Sequence, residues 1–353
     1  MTIDAKVKSA IAHWAPRFVA NGVALTDFEE VTASIGTWDD WCRAWSERAT
    51  RHETMGREAL AAGYRLSAGE HLQRAGVYYH FAKFLFVHKP AEMRAAHMKA
   101  VECRNLALPH LSPAGERIAV PYEGKALYGI LRKPSGIVRP PVVVMAMGLD
   151  SAKEETDAYE QPFLQRGMAT FAFDGPGQGE GEYDFAIRGD YEVTVKAVFD
   201  ALERRSDIDP ARMGLWGVSL GGYYAPRAAA FEKRVRTCIS LSGPYDWGDA
   251  WDNLPELTRA AFRVRSHSAN DAEAKKRAGT LSLKGIAGNI TCPIYIMTGK
   301  LDRIIPWQDA ERLAGEVKGP VELLLIEDGN HVANNRTYRW RTQSADWMAD
   351  RLR

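Results

Sequence analysis

Residues 217–221 read Gly-Val-Ser-Leu-Gly, a G-x-S-x-G sequence between the apolar run MGLWG and the helix-forming stretch GGYYAPRAAA. A turn of this kind needs a strained backbone at the serine, and its flanking glycines let strand and helix approach without Cβ clashes. It lifts the Ser219 hydroxyl above a sheet, at a helix N-terminus where negative charge is favoured. A hydroxyl becomes a nucleophile only with a base beside it, and the base needs an acid to orient it. In sheets carrying such a turn the partners follow in the order serine, acid, histidine. Asp302, in TGKLDRIIP, lies just past the apolar run CPIYIMTG, and His331, in EDGNHVANN, just past VELLLIE. Of nine histidines only His331 lies beyond Asp302. Asp246, in SGPYDW, also follows a strand and is the rival acid; the acid usually follows the strand before the histidine's own, which favours Asp302. The chemistry these residues could perform is hydrolysis through an acyl-serine.

Attack on a carbonyl creates an oxyanion, which two backbone N–H groups usually hold. One belongs to the residue after the nucleophile, Leu220, and the other to the loop after the third strand, Gly148-Leu149. That loop lies in VVVMAMGLDSAKEE, whose charges divide into parts. Ser151-Ala-Lys-Glu154 has the S-x-x-E pattern of a capping box, and Glu155 would add charge to the same first helical turn. Asp150 is left over, facing either the substrate or the solvated helix start. The turn FAFDGPGQGEGE (171–182) has too short a glycine spacing for dinucleotide binding and reads as a structural turn beside the site.

The elements that must position these residues change texture near residue 112. Residues 1–112 read as helices carrying Trp38, Trp41, Trp45 and Met55 at helical spacings, with stops at Pro90 and near Pro109. LSPAG (111–115) has the composition of a linker. In residues 113–353, ERIAVPYEGKALYGILRKP reads as a hairpin turned at Glu123-Gly124. The runs VVVMAM, MATFAFD, MGLWG, VRTCISLS, CPIYIMTG and VELLLIE then alternate with helical stretches. That alternation predicts an α/β domain with a doubly wound, mainly parallel sheet whose chemistry sits at the strand carboxyl ends. Residues 244–286 lie between two strands with no strand of their own, too long for an ordinary connection, and are expected to form a small lid.

The bulk properties narrow the class. A net charge of +1 offers no basic face for nucleic acid. Cys42, Cys103, Cys238 and Cys292 are scattered, giving neither a zinc site nor a disulfide framework, so a reducing cytoplasm is the expected location. The first residues lack the apolar core of a signal peptide, and no apolar run approaches the ~18 residues of a membrane span.

GLDSAKEE, FDGPGQGEGE, GVSLGG, the acid in TGKLD and the histidine in DGNH, behind a helical segment containing YYHFAKFLF, resemble the α/β-hydrolases related to dihydroxypseudooxynicotine hydrolase. That group also takes in the fermentation-respiration switch protein and fungal polyketide chain-shortening hydrolases. The resemblance implies an α/β-hydrolase domain behind an N-terminal helical cap, with Ser219, Asp302 and His331 as the triad and no cofactor or metal. It implies cleavage of a carbon–carbon bond beside a ketone in an aromatic or polyketide-like small molecule. At the position of Asp150 the family's namesake carries a glutamate, one methylene longer, which makes Asp150 the family's extra acid. A carbon leaving group departs as a carbanion or enol and must be protonated, whereas an ester's alkoxide needs only the proton His331 returns. A carboxyl group desolvated between cap and sheet can hold such a proton near neutrality. The alternatives are a carboxylesterase or thioesterase with the same triad, and a non-catalytic binding protein on the scaffold. Tyr79 and His80 of the cap, and Tyr245 and Trp247 after their strand, are candidates for the pocket lining. His13, Trp14 and Phe18 are candidates for a homodimer contact or for cap core.

Overall fold

The computed structural model describes residues 4–353, which divide into two compact units. The first runs to Glu116 and also takes in Glu154–Tyr159; the second comprises Arg117–Lys153 and Glu160–Arg353.

The first unit is helical: α1 (Ala5–Ala20), α2 (Leu25–Ser34), α3 (Trp41–Ala61), α4 (Arg65–Lys83) and α5 (Pro90–Ala107). Its core is aromatic. Phe18 stacks on Phe81 with ring centroids 3.8 Å apart, and Trp41, Trp45, Phe28 and Phe84 surround the pair. Phe18 is wholly buried and Trp14 is 6% exposed, so these two rings fill the unit's interior and offer nothing to a dimer contact.

Glu155 explains why a segment beyond the sheet's third strand belongs with the helices. Its carboxylate takes Arg17 Nη2 at 2.6 Å and lies 3.5 Å from His80 Nε2, all buried. Burial raises its pKa, yet the Arg17 and His80 charges prevail and hold it well below the usual carboxylate range. Removing one member of a buried ion pair strands the other's charge, at about 3–5 kcal/mol. Glu155→Gln is therefore expected to lower unfolding stability by that order in a urea titration, with less loss in the double variant Arg17→Met/Glu155→Leu.

The second unit is built on an eight-stranded sheet: β1 (Gly115–Tyr122), β2 (Lys125–Arg132), β3 (Val142–Ala146), β4 (Ala169–Asp174), β5 (Met213–Val218), β6 (Val235–Leu241), β7 (Ile294–Gly299) and β8 (Val321–Ile326), in the order β1-β2-β4-β3-β5-β6-β7-β8. Every apolar run singled out in the sequence is a strand. β2 pairs antiparallel with β4, and pairing is parallel from β4 through to β8. The hairpin turns at Glu123-Gly124 with φ of 43° and 78°, the paired left-handed residues of a tight two-residue turn. β3 to β5 are buried along their whole length because helices cover both faces, which is why they read as unbroken apolar runs. The covering helices are α6 (Asp157–Leu164), α7 (Glu192–Glu203) and α8 (Gly221–Ala229), then α12 (Gln308–Glu316) and α13 (Arg341–Arg351). Between β6 and β7 the insertion at 244–286 forms α9 (Trp247–Ala250), α10 (Glu256–Arg265) and α11 (Asp271–Ala278).

One local expectation fails. The S-x-x-E segment does not open an α-helix: Lys153–Glu155 is a single 3-10 turn and α6 begins only at Asp157. The S-x-x-E signature is overridden by burial. Lys153 is wholly buried, with Nζ 2.6 Å from Asp174 Oδ2 and 2.7 Å from Glu180 Oε2.

Candidate active site

β5 delivers Ser219 into a turn with φ 57°, a left-handed value costly for a residue with a side chain. A Cβ on Gly217 would lie 1.9 Å from the Gly221 carbonyl oxygen, and one on Gly221 would lie 2.2 Å from that of Ala146. Only glycine at both positions lets β5, α8 and β3 meet this closely.

His331 follows β8 and Asp302 follows β7, and the two converge with Ser219. The Ser219 hydroxyl lies 2.9 Å from His331 Nε2, and His331 Nδ1 lies 2.7 Å from Asp302 Oδ2. The other carboxylate oxygen of Asp302 accepts the amides of Ile304 at 2.8 Å and Ile305 at 3.0 Å, so the acid cannot swing. With Nδ1–H donated to the carboxylate, Nε2 is left as the acceptor for the serine proton. The histidine loop is itself strained: Val332 and Ala333 have φ of 59° and 45°, and the Val332 amide is held by Ser242 Oγ at 3.1 Å. The rival acid is engaged elsewhere. Asp246 Oδ1 accepts the Asp249 amide at 3.0 Å as the N-cap of α9, and Lys284 Nζ lies 3.0 Å from Oδ2.

Gly148 packs directly on the nucleophile turn, its Cβ position 3.0 Å from the Val218 carbonyl oxygen and 3.1 Å from Ser219 Cβ. Among the described residues, no protein acceptor takes the N–H of Leu149 or of Leu220. These are the two donors expected for an oxyanion. Asp150, 7% exposed, follows directly.

Two residues to which the sequence assigned no role hold this loop. Gln178 donates from Nε2 to the carbonyls of Met147 and, at 3.2 Å, Gly148, while its Oε1 accepts the Gly175 amide and the Tyr191 hydroxyl, each at 2.9 Å. Arg265, at the end of α10, donates from Nη1 to the Leu149 carbonyl at 2.6 Å. Gln178 stands in FDGPGQGEGE, where a polar side chain among four glycines was the one available signal; Arg265 had none.

The four residues expected to line a pocket have the following partners. His80 is wholly buried beside Glu155, and the Tyr79 hydroxyl donates to Glu53 Oε2 at 2.9 Å, both inside the helical unit. The Tyr245 hydroxyl donates to Glu316 Oε2 at 2.6 Å, its ring lies under Arg312, and burial pushes the phenol up to about 12. Trp247 is buried against Phe262.

Asp309, in the first turn of α12, accepts the Tyr245 amide at 2.9 Å, yet burial pushes its carboxyl up to about 6. A folded-state value above the unfolded one favours the protonated fold, so this contribution is present below about pH 4 and is lost as pH rises towards 6. Two units correspond to ~3 kcal/mol at most, and solvent screening at a partly exposed site reduces that to about 1. Asp309→Asn keeps the acceptor without the charge. Its melting temperature should match the wild type's at pH 4.5 and exceed it by a few degrees at pH 7.5.

A model of the prolyl oligopeptidase family matches residues 155–353. The chain is 34% identical to 2,6-dihydropseudooxynicotine hydrolase of Paenarthrobacter nicotinovorans, covering 100% of this chain and 95% of that one. It is 32% identical to the hydrolyase poxO of Penicillium oxalicum over 80% of this chain and 73% of the relative. The crystal structure of 2,6-dihydroxy-pseudo-oxynicotine hydrolase superposes with a TM-score of 0.88 at 34% identity, covering 96% of this chain and 95% of that one. Among the described residues, no helix is long and apolar enough to cross a membrane.

Proposed function

The chain belongs to the prolyl oligopeptidase family of α/β-hydrolases and is a hydrolase, and we propose that it cleaves a carbon–carbon bond next to a ketone in an aromatic or polyketide-like small molecule. The observation carrying this reading is the relay of hydrogen bonds from Ser219 through His331 to Asp302, at 2.9 and 2.7 Å, beside a loop that ends in the carboxylate of Asp150. In this reading Ser219 Oγ attacks the ketone carbon as its proton passes to His331 Nε2. The N–H groups of Leu149 and Leu220 take the resulting oxyanion. Collapse breaks the carbon–carbon bond; the electron pair leaves with the departing carbon, which takes a proton from the Asp150 carboxyl, and the proton held on His331 then passes to the Asp150 carboxylate, leaving the imidazole neutral. Water, deprotonated by His331, then attacks the acyl-serine and releases a carboxylic acid. Asp302 holds the imidazole in its tautomer and stabilises the imidazolium.

The relatives named for a pseudooxynicotine substrate support the ketone, and Asp150 supports a carbon leaving group. The same triad would hydrolyse esters without Asp150, which is the second reading. Mass mapping after exposure to a fluorophosphonate is expected to find the adduct on Ser219. An unlabelled Ser219 in folded enzyme would remove both hydrolase readings together.

A further inference from the structure

Arg265 is 1% exposed and held at both ends. Its Nη1 donates to the Leu149 carbonyl at 2.6 Å and its Nε to Glu182 Oε2 at 3.2 Å, while its own carbonyl accepts the Ile187 amide at 3.0 Å. The Leu149 N–H lies three bonds from the oxygen that Arg265 grips. Peptide planes are rigid, so a hydrogen bond to a carbonyl sets the direction of the whole plane. Gln178, on the Gly148 carbonyl, fixes the plane that contains the Leu149 N–H. Arg265 fixes the next plane, and together they leave Leu149 no freedom to turn its N–H away. A guanidinium is also charged at every working pH, and in a site shielded from water its field favours negative charge developing nearby. Arg265 is contributed by the 244–286 insertion, not by the sheet or its covering helices.

We propose that Arg265 is a positioning residue that holds the Leu149 amide towards the oxyanion, so that the insertion helps to complete the oxyanion site. This rests on Ser219 being the nucleophile but not on which bond is cleaved, so any substrate the wild type turns over serves as the probe. Arg265→Gln is expected to lower kcat roughly 10- to 100-fold, below the 10²–10³ that losing the donor itself costs, with KM within about threefold. The Ki of an aryl trifluoromethyl ketone, which adds Ser219 and carries an oxyanion, should rise by the same factor as kcat/KM falls. Inhibition by the uncharged product should not move. Millimolar guanidinium should restore part of the activity of Arg265→Ala and none of that of Ser219→Ala. Glu182→Gln leaves the guanidinium in place but removes the carboxylate charge beside its Nε; a roughly 3- to 10-fold fall in kcat with the same pattern is expected, and this variant decides if Arg265→Gln does not fold.

Wild-type kcat and trifluoromethyl ketone Ki in either folded variant would overturn the proposal. So would losses that move KM and product inhibition together without guanidinium rescue, since those mark packing alone. The parent reading fails separately: an unlabelled Ser219 in the wild type ends both, whereas Ser219 labelled equally fast in wild type and Arg265→Gln ends only this one.

Discussion

Ser219→Ala is expected to lower kcat by roughly 10⁵- to 10⁶-fold on any substrate the enzyme accepts, measured in single-turnover assays. Nothing else in the relay can form the acyl intermediate. The His331 ring stays fixed by Asp302 and by the strained loop at Val332 and Ala333, so the variant should keep its fold and its substrate affinity. What activity survives comes from the Leu149 and Leu220 amides polarising the carbonyl towards water, the share that oxyanion donors and binding retain without a nucleophile. A fall of only tenfold would mean that the serine is spectator and water is the attacking group. Isothermal titration with a non-cleavable substrate analogue checks the other half, since Kd should be unchanged within about threefold.

The second large effect separates two bonds. Asp150→Asn is expected to lower carbon–carbon cleavage by about 10²- to 10⁴-fold, the range a positioned general acid supplies, and to leave ester cleavage within about threefold. Asparagine keeps the shape of the side chain and loses the proton. An ester's alkoxide is protonated by His331 in either enzyme, whereas a departing carbon has lost its donor. The peptide before Asp150 stays gripped by Arg265 at the Leu149 carbonyl, so the oxyanion donors should not shift. Equal losses on both substrates would make Asp150 a structural residue of the loop.

The sheet was legible because its strands are buried on both faces, and burial writes itself as runs such as Val142–Ala146. The relay was legible because strand ends are, and three reactive side chains standing just past three such runs converge wherever the sheet is parallel. What could not be read depends on partners far away in the chain. Arg265 meets Leu149 across 116 positions, Arg17 meets Glu155 across 138, and neither has a local pattern. Ser151-x-x-Glu154 misled for the opposite reason: the local pattern was present, but burial of Lys153 against Asp174 and of Glu155 against Arg17 fixed the segment first. Tyr245 and Trp247 sit just past a strand, and nothing in the sequence signals that Tyr245 bonds to Glu316 of α12 or that Trp247 packs on Phe262 of α10. Position along a strand sets where a backbone arrives; the neighbours set where its side chain turns.

A hydrolase built for a carbon leaving group should favour that bond over an ester. The most direct measurement is the ratio of kcat/KM for an aryl β-diketone to that for the ester of the same acyl group and matched size, with products identified by mass spectrometry in deuterated water. The diketone is expected to be cleaved at least as efficiently as the ester, giving one carboxylic acid and one ketone that carries solvent deuterium on the carbon released. Rapid turnover of the ester with the diketone left intact would contradict it.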